Sequence, residues 1–218
     1  MCGRYTLAAP ADELVEVFDL PPVTFAWEGR YNVAPGQEAP VVAEDRQGRR
    51  MGLLCWGLVP SWADDPGRPF VNARAETAHR TRSFREAFAR RRCLVPADGF
   101  YEWLRDQGGK RPFWLHPSGG GVLALAGIWE RWDRPGRAAR HGFAILTVDA
   151  NEDVAPIHDR MPLVVLPSEW DPWLAADTPL DRLTRIVRPL RPGALQGHEV
   201  STRVNTPAED DAGLIEPV

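Results

Sequence analysis

Eight short strand-like runs limit what this chain can fold into: 40–43, 51–59, 93–96, 113–116, 122–128, 143–148, 163–166 and 199–204. All are of strand length rather than helix length. Turn-forming residues separate them, with 21 prolines and 19 glycines scattered over 218 residues. Helical spacing is confined to three short segments. In 12–20, Leu14, Val15 and Phe18 share a face. Ser83-Phe84-Arg85-Glu86 reads as a capping box, with Phe84, Ala87 and Phe88 on one face and Arg90, Arg91 and Arg92 at the end where cations favour the dipole. A helix over 168–175 turns Trp170, Trp173 and Leu174 inward. Strands outnumber helices and do not alternate with them. The prediction is an α+β fold: a single domain over 1–218, built on a mainly antiparallel, barrel-like β-sheet with a few short helices. The acidic tail, 206–218, is expected to pack as an irregular arm.

Composition excludes several classes. Nothing approaches a membrane span of ~20 apolar residues, and no basic region precedes an apolar run at the amino terminus. A cytoplasmic location is the expectation. Cys2, Cys55 and Cys93 are odd in number and widely spaced, which fits neither a disulfide framework nor a metal site. Cys55 and Cys93 lie in apolar runs and are expected to be buried core thiols. The formal net charge of −4 argues against a nonspecific nucleic-acid coat but leaves room for a local basic cleft.

Chemistry-bearing residues fall in segments that a core does not require. Cys2 follows the initiator methionine, and loss of Met1 makes it a 1,2-aminothiol. Its amine (reference pKa about 8) and thiol (about 8.5) both titrate near working pH. Such a pair condenses with an aldehyde to an imine and closes to a five-membered thiazolidine, unless the segment is simply a loose terminus. Glu102 sits between aromatics in Phe100-Tyr101-Glu102-Trp103. It is either an edge residue facing water or a partly desolvated acid–base group with a raised pKa. His158 stands beside Asp159-Arg160; a lone histidine is commonly structural, and a proton-shuttle role gains weight from Glu102 and Cys2.

Five ordered segments and a final pair then give the chain a resemblance. They are Met1-Cys2-Gly3-Arg4-Tyr5, Tyr31-Asn32-Val33-Ala34-Pro35, Trp56-Gly57-Leu58-Val59-Pro60-Ser61-Trp62 with Asn72-Ala73-Arg74-Ala75-Glu76, the stretch from Cys93 to Trp103, His158-Asp159-Arg160-Met161-Pro162, and Val204-Asn205. Together they resemble the SRAP (SOS response-associated peptidase) family over nearly the whole chain.

The resemblance implies abasic-site processing in the DNA damage response: covalent capture of abasic sites in single-stranded DNA as a thiazolidine DNA–protein crosslink. It assigns Cys2 as nucleophile, Asn72 as a contact for the Cys2 amine or the sugar, and Glu102 and His158 as the acid–base pair. No cofactor or metal is called for, and the partner is single-stranded DNA with abasic sites, met by a monomer that joins the nucleoid when DNA is damaged. An imine at C1′ also permits β-elimination, a lyase-type side activity. Arg4, Arg74 and Arg160 lie within two residues of proposed catalytic groups and are the expected phosphate ligands, with surface salt bridges as the alternative. Trp62, Trp103 and Phe70 are expected to stack on flanking bases, with core packing as the alternative. Thr147 lines the pocket by family position. Two other classes compete: a cysteine peptidase with a Cys2–His158–Glu102 array that also removes Met1, and a noncatalytic reader of modified bases, which has no need of Cys2.

Overall fold

A computed structural model describes residues 2–218. The first strand is interior. β1 (Arg4–Leu7) alternates too little to be an edge, and three of its four residues are buried. It is followed by α1 (Ala11–Val17), β2 (Arg30–Val33), β3 (Glu38–Asp45), β4 (Gly48–Trp56) and β5 (Asn72–Arg74). Next come α2 (Ala75–Ala78), α3 (Arg85–Arg90), β6 (Arg92–Ala97), β7 (Gly99–Asp106), β8 (Gly109–Pro117) and β9 (Leu123–Trp132). The chain closes with β10 (Arg140–Asp149), β11 (Arg160–Pro162), α4 (Trp170–Leu174), α5 (Leu180–Ile186) and β12 (Leu195–Glu199).

The predicted α+β class and the predominance of antiparallel pairing hold, but there are two sheets rather than one. A five-stranded sheet runs β12-β8-β7-β1-β2, and a seven-stranded sheet runs β11-β10-β4-β3-β6-β9, with β5 beside β10. Pairing of β9 with β10 closes the second sheet into a ring. Two of its pairings, β10 with β4 and β10 with β5, are parallel. Apolar residues of both sheets and the short helices share one cluster that includes Tyr5, Leu14, Trp56, Phe88, Phe143 and Trp173. No helix among the described residues is long and apolar enough to cross a membrane.

Some local readings need correction. Ser83 makes no cap: α3 begins at Arg85 with Phe84 as its N-cap residue and no side-chain cap bond. Arg92 does not lie at the exposed end of that helix; it is buried at the start of β6. Its guanidinium donates to the carbonyls of Phe88, Ala89, Trp173 and Ala175, joining the ends of α3 and α4. The run 163–166 makes only one isolated bridge, Leu125 with Val164. Pro162 and Pro167 on either side of it cannot donate to a ladder. β12 stops at Glu199, and Thr202–Asn205 is a 3-10 turn. Cys93 is buried, but Cys55 is only half-buried, its thiol against the Gly36 carbonyl.

The tail lies along β2. Leu214 is fully buried in a small second cluster with Tyr101, Val200 and Val204. Asp210 accepts hydrogen bonds from the Tyr31 and Asn32 amides and from Arg30 Nε.

Candidate active site

β1 carries the amino-terminal segment into the five-stranded sheet between β7 and β2. In its pairing with β7, Arg4 stands opposite Tyr101 and Tyr5 opposite Phe100. One step back in this register, Gly3 faces Glu102. Two residues remote in sequence, Cys2 and Glu102, are thereby brought together, both almost wholly buried. Asn72 arrives from the other sheet on β5, parallel to β10 and opposite Ile145. Its Nδ2 donates to the Cys2 carbonyl at 2.8 Å. That bond orients the amide, and among the described residues no donor reaches its buried Oδ1. His158 lies just before β11, with Nε2 at 4.0 Å from Glu102 Oε2. All four residues expected to carry the chemistry converge.

Burial dominates the electrostatics. It pushes the Cys2 thiol well above its ordinary value, and the Glu102 charge pushes the same way. The thiol therefore rests protonated. Burial also raises the Glu102 carboxyl from 4.5 to about 7, so it exchanges a proton near neutrality. The His158 imidazole is held below its ordinary value, chiefly by burial and against the pull of Asp159. The Arg160 amide donates to His158 Nδ1 at 2.9 Å, which leaves the ring proton on Nε2, facing Glu102. The Asp159 carboxylate also comes within 2.9 Å of Nδ1. It is largely exposed and can swing into water, whereas the amide is fixed by the chain, so the amide sets the tautomer.

A cavity of about 490 Å³ opens beside these groups, lined by Gly3, Arg4, Glu102, Trp103, Arg105, Lys110, His158 and Asn205. A slightly larger one, about 540 Å³, lies at Trp170 and touches none of the predicted site residues. Arg105 and Lys110 escaped the sequence reading. They are cross-strand partners in the β7–β8 hairpin, and the turn signal Gln107-Gly108-Gly109 would have paired them. Lys110 is the chain's only lysine; its ammonium sits 4.5 Å over the Trp103 ring. Among the described residues neither cation, nor Arg4, forms an ion pair with a side-chain carboxylate.

The expected DNA contacts divide. Arg4 and Trp103 line the cavity, and Trp103 Nε1 donates to Asn205 Oδ1 at 2.9 Å. Arg74 is exposed at the end of β5. Trp62 and Phe70 are exposed away from the cavity lining: the Arg82 guanidinium covers Trp62 at 4.2 Å, and Phe70 packs edge-on to Phe84. Thr147 is buried on β10 beside β5, opposite Arg74, its hydroxyl toward the Ala73 carbonyl. Arg160 is buried too; it holds both oxygens of Glu76 at 2.8 and 2.9 Å and Asp149 at 2.5 Å. Its charge is already compensated, the salt-bridge alternative to a phosphate ligand. Among the described residues no group of three or more His, Cys, Asp and Glu is placed to hold a metal ion.

The chain is similar to known proteins over nearly its whole length. The family model described as SOS response associated peptidase (SRAP) matches residues 1–207. The abasic site processing protein YoqW of Bacillus subtilis is 37% identical over 99% of both chains. The abasic site processing protein YedK of Escherichia coli is 30% identical over 100% of both. The abasic site processing protein HMCES of Gallus gallus is 34% identical over 88% of this chain and 68% of its own. A crystal structure from Bacteroides thetaiotaomicron superposes with a TM-score of 0.91 over 100% of both chains at 21% identity, a likeness of fold.

Proposed function

The chain belongs to the SOS response associated peptidase family, and from that premise we propose that it processes abasic sites in DNA by capturing them on Cys2. Loss of Met1 gives Cys2 a free α-amine. That amine adds to the C1′ aldehyde of a ring-opened abasic deoxyribose. The carbinolamine takes a proton and loses water, leaving an iminium. The Cys2 sulfur then bonds to C1′ and the thiol proton departs to a base. One water is released overall and a thiazolidine joins protein to DNA.

The observation that carries this reading is a protonated thiol beside an acid near neutrality. A thiol raised by burial is a poor first nucleophile, so the amine attacks first and the sulfur second. Glu102, at about 7, suits both proton removal from the amine and proton delivery to the departing hydroxyl. His158, neutral with its proton on Nε2, relays to Glu102 or serves ring opening of the sugar. Asn72 fixes the Cys2 backbone, and its Oδ1 is placed to accept from the amine or a sugar hydroxyl. Arg4, Arg105 and Lys110 supply cations for the phosphates, and Trp103 a face for a base. Single strands fit best because no pairing or stacking need be broken. β-Elimination from the iminium, with incision on the 3′ side, is the side reaction.

The same features count against a general cysteine peptidase. Such a site needs a thiolate lowered by an adjacent imidazole; here the thiol is raised and the His158 proton faces Glu102.

The test is incubation with single-stranded DNA carrying one abasic site, followed by denaturing gel and intact mass. An adduct lacking Met1, with the mass of protein plus DNA minus one water and absent in Cys2→Ala, is expected. Inserting one residue before Cys2 keeps the thiol and abolishes the thiazolidine. No adduct from protein shown to have lost Met1 sinks the proposal; peptide turnover dependent on Cys2 favours the peptidase.

A further inference from the structure

Asn32 is fully buried and polar, and it lies outside the cavity lining. Its side chain nevertheless joins three parts of the molecule. Oδ1 accepts from Arg4 Nη1 at 3.2 Å. Nδ2 points at the carbonyls of Val204, Thr206 and Glu209 at 3.3, 3.1 and 2.8 Å. The Asn32 amide in turn donates to Asp210 at 3.0 Å. The carboxamide is the only short side chain that can do this, because it accepts at one atom and donates at the other. Aspartate has no donor for the three carbonyls, and leucine neither donor nor acceptor.

What Asn32 gathers forms part of the cavity. Arg4 also donates to the Val204 carbonyl at 2.5 Å and the Asn205 carbonyl at 3.4 Å. The side chain of Asn205 in turn receives the Trp103 indole. The Arg4 guanidinium is thus held entirely by neutral acceptors. Its position is fixed while its positive charge stays uncompensated, the opposite of Arg160 between two carboxylates. Nε and one N–H of Nη2 have no partner among the described residues. A guanidinium so placed is set for an oxyanion.

We propose that Asn32 is a positioning residue for DNA: by clasping the arm from Thr202 to Asp210 against β2, it sets the Arg4 guanidinium and the Asn205–Trp103 pair as the phosphate- and base-facing wall of the cavity. The role deepens the abasic-site reading and rests on it. It predicts that Asn32 governs DNA affinity and leaves the aminothiol chemistry alone.

The experiment uses the full chain in three forms: wild type, Asn32→Ala, and Asp210→Ala, which loosens the same clasp from the partly exposed side should the core variant fail to fold. Binding is measured with single-stranded DNA carrying a tetrahydrofuran analogue, which has no aldehyde and cannot crosslink, at several salt concentrations. Adduct formation is measured with abasic DNA, resolved into its saturating rate and half-saturating concentration. Reaction with acetaldehyde, which has no phosphate or base, reports the aminothiol alone.

Both variants are expected to bind the analogue about 10-fold more weakly, and the slope of log affinity against log salt to fall by about 0.7, one phosphate contact on a single strand. The half-saturating concentration rises in step, while the saturating rate and the acetaldehyde reaction stay within a factor of about 3. Unchanged affinity and slope in folded variants would overturn the proposal, as would an equal loss with acetaldehyde. If wild type makes no adduct, the crosslinking reading fails, while the binding and salt data still decide the role of Asn32.

Discussion

Replacing Glu102 by glutamine tests the buried acid directly, because it separates what the carboxylate costs from what it does. The carboxyl is almost fully buried, and its pKa rises from 4.5 to about 7. At about 1.4 kcal/mol per pH unit, ionising it in the folded protein costs about 3 kcal/mol relative to the unfolded chain. The sign follows from proton uptake. Below pH 4.5 both states carry the proton and nothing is lost. Between 4.5 and about 7 the folded state keeps a proton that the unfolded state gives up, so stability falls as pH rises. Above about 7 the cost is constant. Glutamine has the same shape and no charge to bury. Urea denaturation should find Glu102→Gln equal to wild type near pH 4 and more stable by about 3 kcal/mol at pH 8. The same variant should form the DNA adduct about 10²-fold or more slowly and lose the inflection near neutrality in its rate profile. Equal stability gain at both pH values, or a variant less stable at pH 8, would refute the assignment of burial as the cause.

Three further outcomes are expected. Arg160→Met removes the ion pairs that tie β11 to α2; because Glu76 and Asp149 are exposed and stay hydrated, urea denaturation should show a loss of only about 1 kcal/mol, and the salt slope of DNA binding should stay at the wild-type value. Asn72→Ala removes the 2.8 Å bond to the Cys2 carbonyl, so the saturating adduct rate should fall about 10-fold while affinity for the tetrahydrofuran analogue holds. Gly99→Ala puts a Cβ 2.3 Å from Trp114 Nε1 and 2.9 Å from the Leu115 carbonyl; thermal unfolding should show a lower Tm, by about 2 kcal/mol of stability.

Much of the β framework could be read from apolar runs, and 51–59, 122–128 and 143–148 lie largely within β4, β9 and β10. β1, β2, β5 and β11 could not, because each has only three or four residues and is held by its neighbours rather than by its own periodicity. Arginine was the residue type read least well. Arg92 and Arg160 look solvent-seeking in one dimension, yet carbonyls or carboxylates contributed by distant segments satisfy them in the core. Arg4 is the converse: its charge was legible, but the neutral cradle that preserves it is not. The four chemistry-bearing residues were legible because each is a reactive or polar type in a segment with no packing need for it. Asn32 lay in such a segment as well, and only the fold shows that its partners come from the far end of the chain.

The interior position of β1 also sets a timetable. Arg4 pairs with Tyr101, so the strand that fixes Cys2 is synthesised 97 residues later. At about 5–20 residues per second, translation leaves the amino terminus unpaired for roughly 5–20 s. Once β7 is in place Cys2 has no exposed surface. On the proposed chemistry, an aminopeptidase meets an unpaired amino terminus during that interval, and the fraction of protein processed before the strand closes depends on the rate of that enzyme against the rate of the ribosome. Overexpression that outruns the aminopeptidase should raise the fraction of molecules that keep Met1 and form no adduct, read by intact mass.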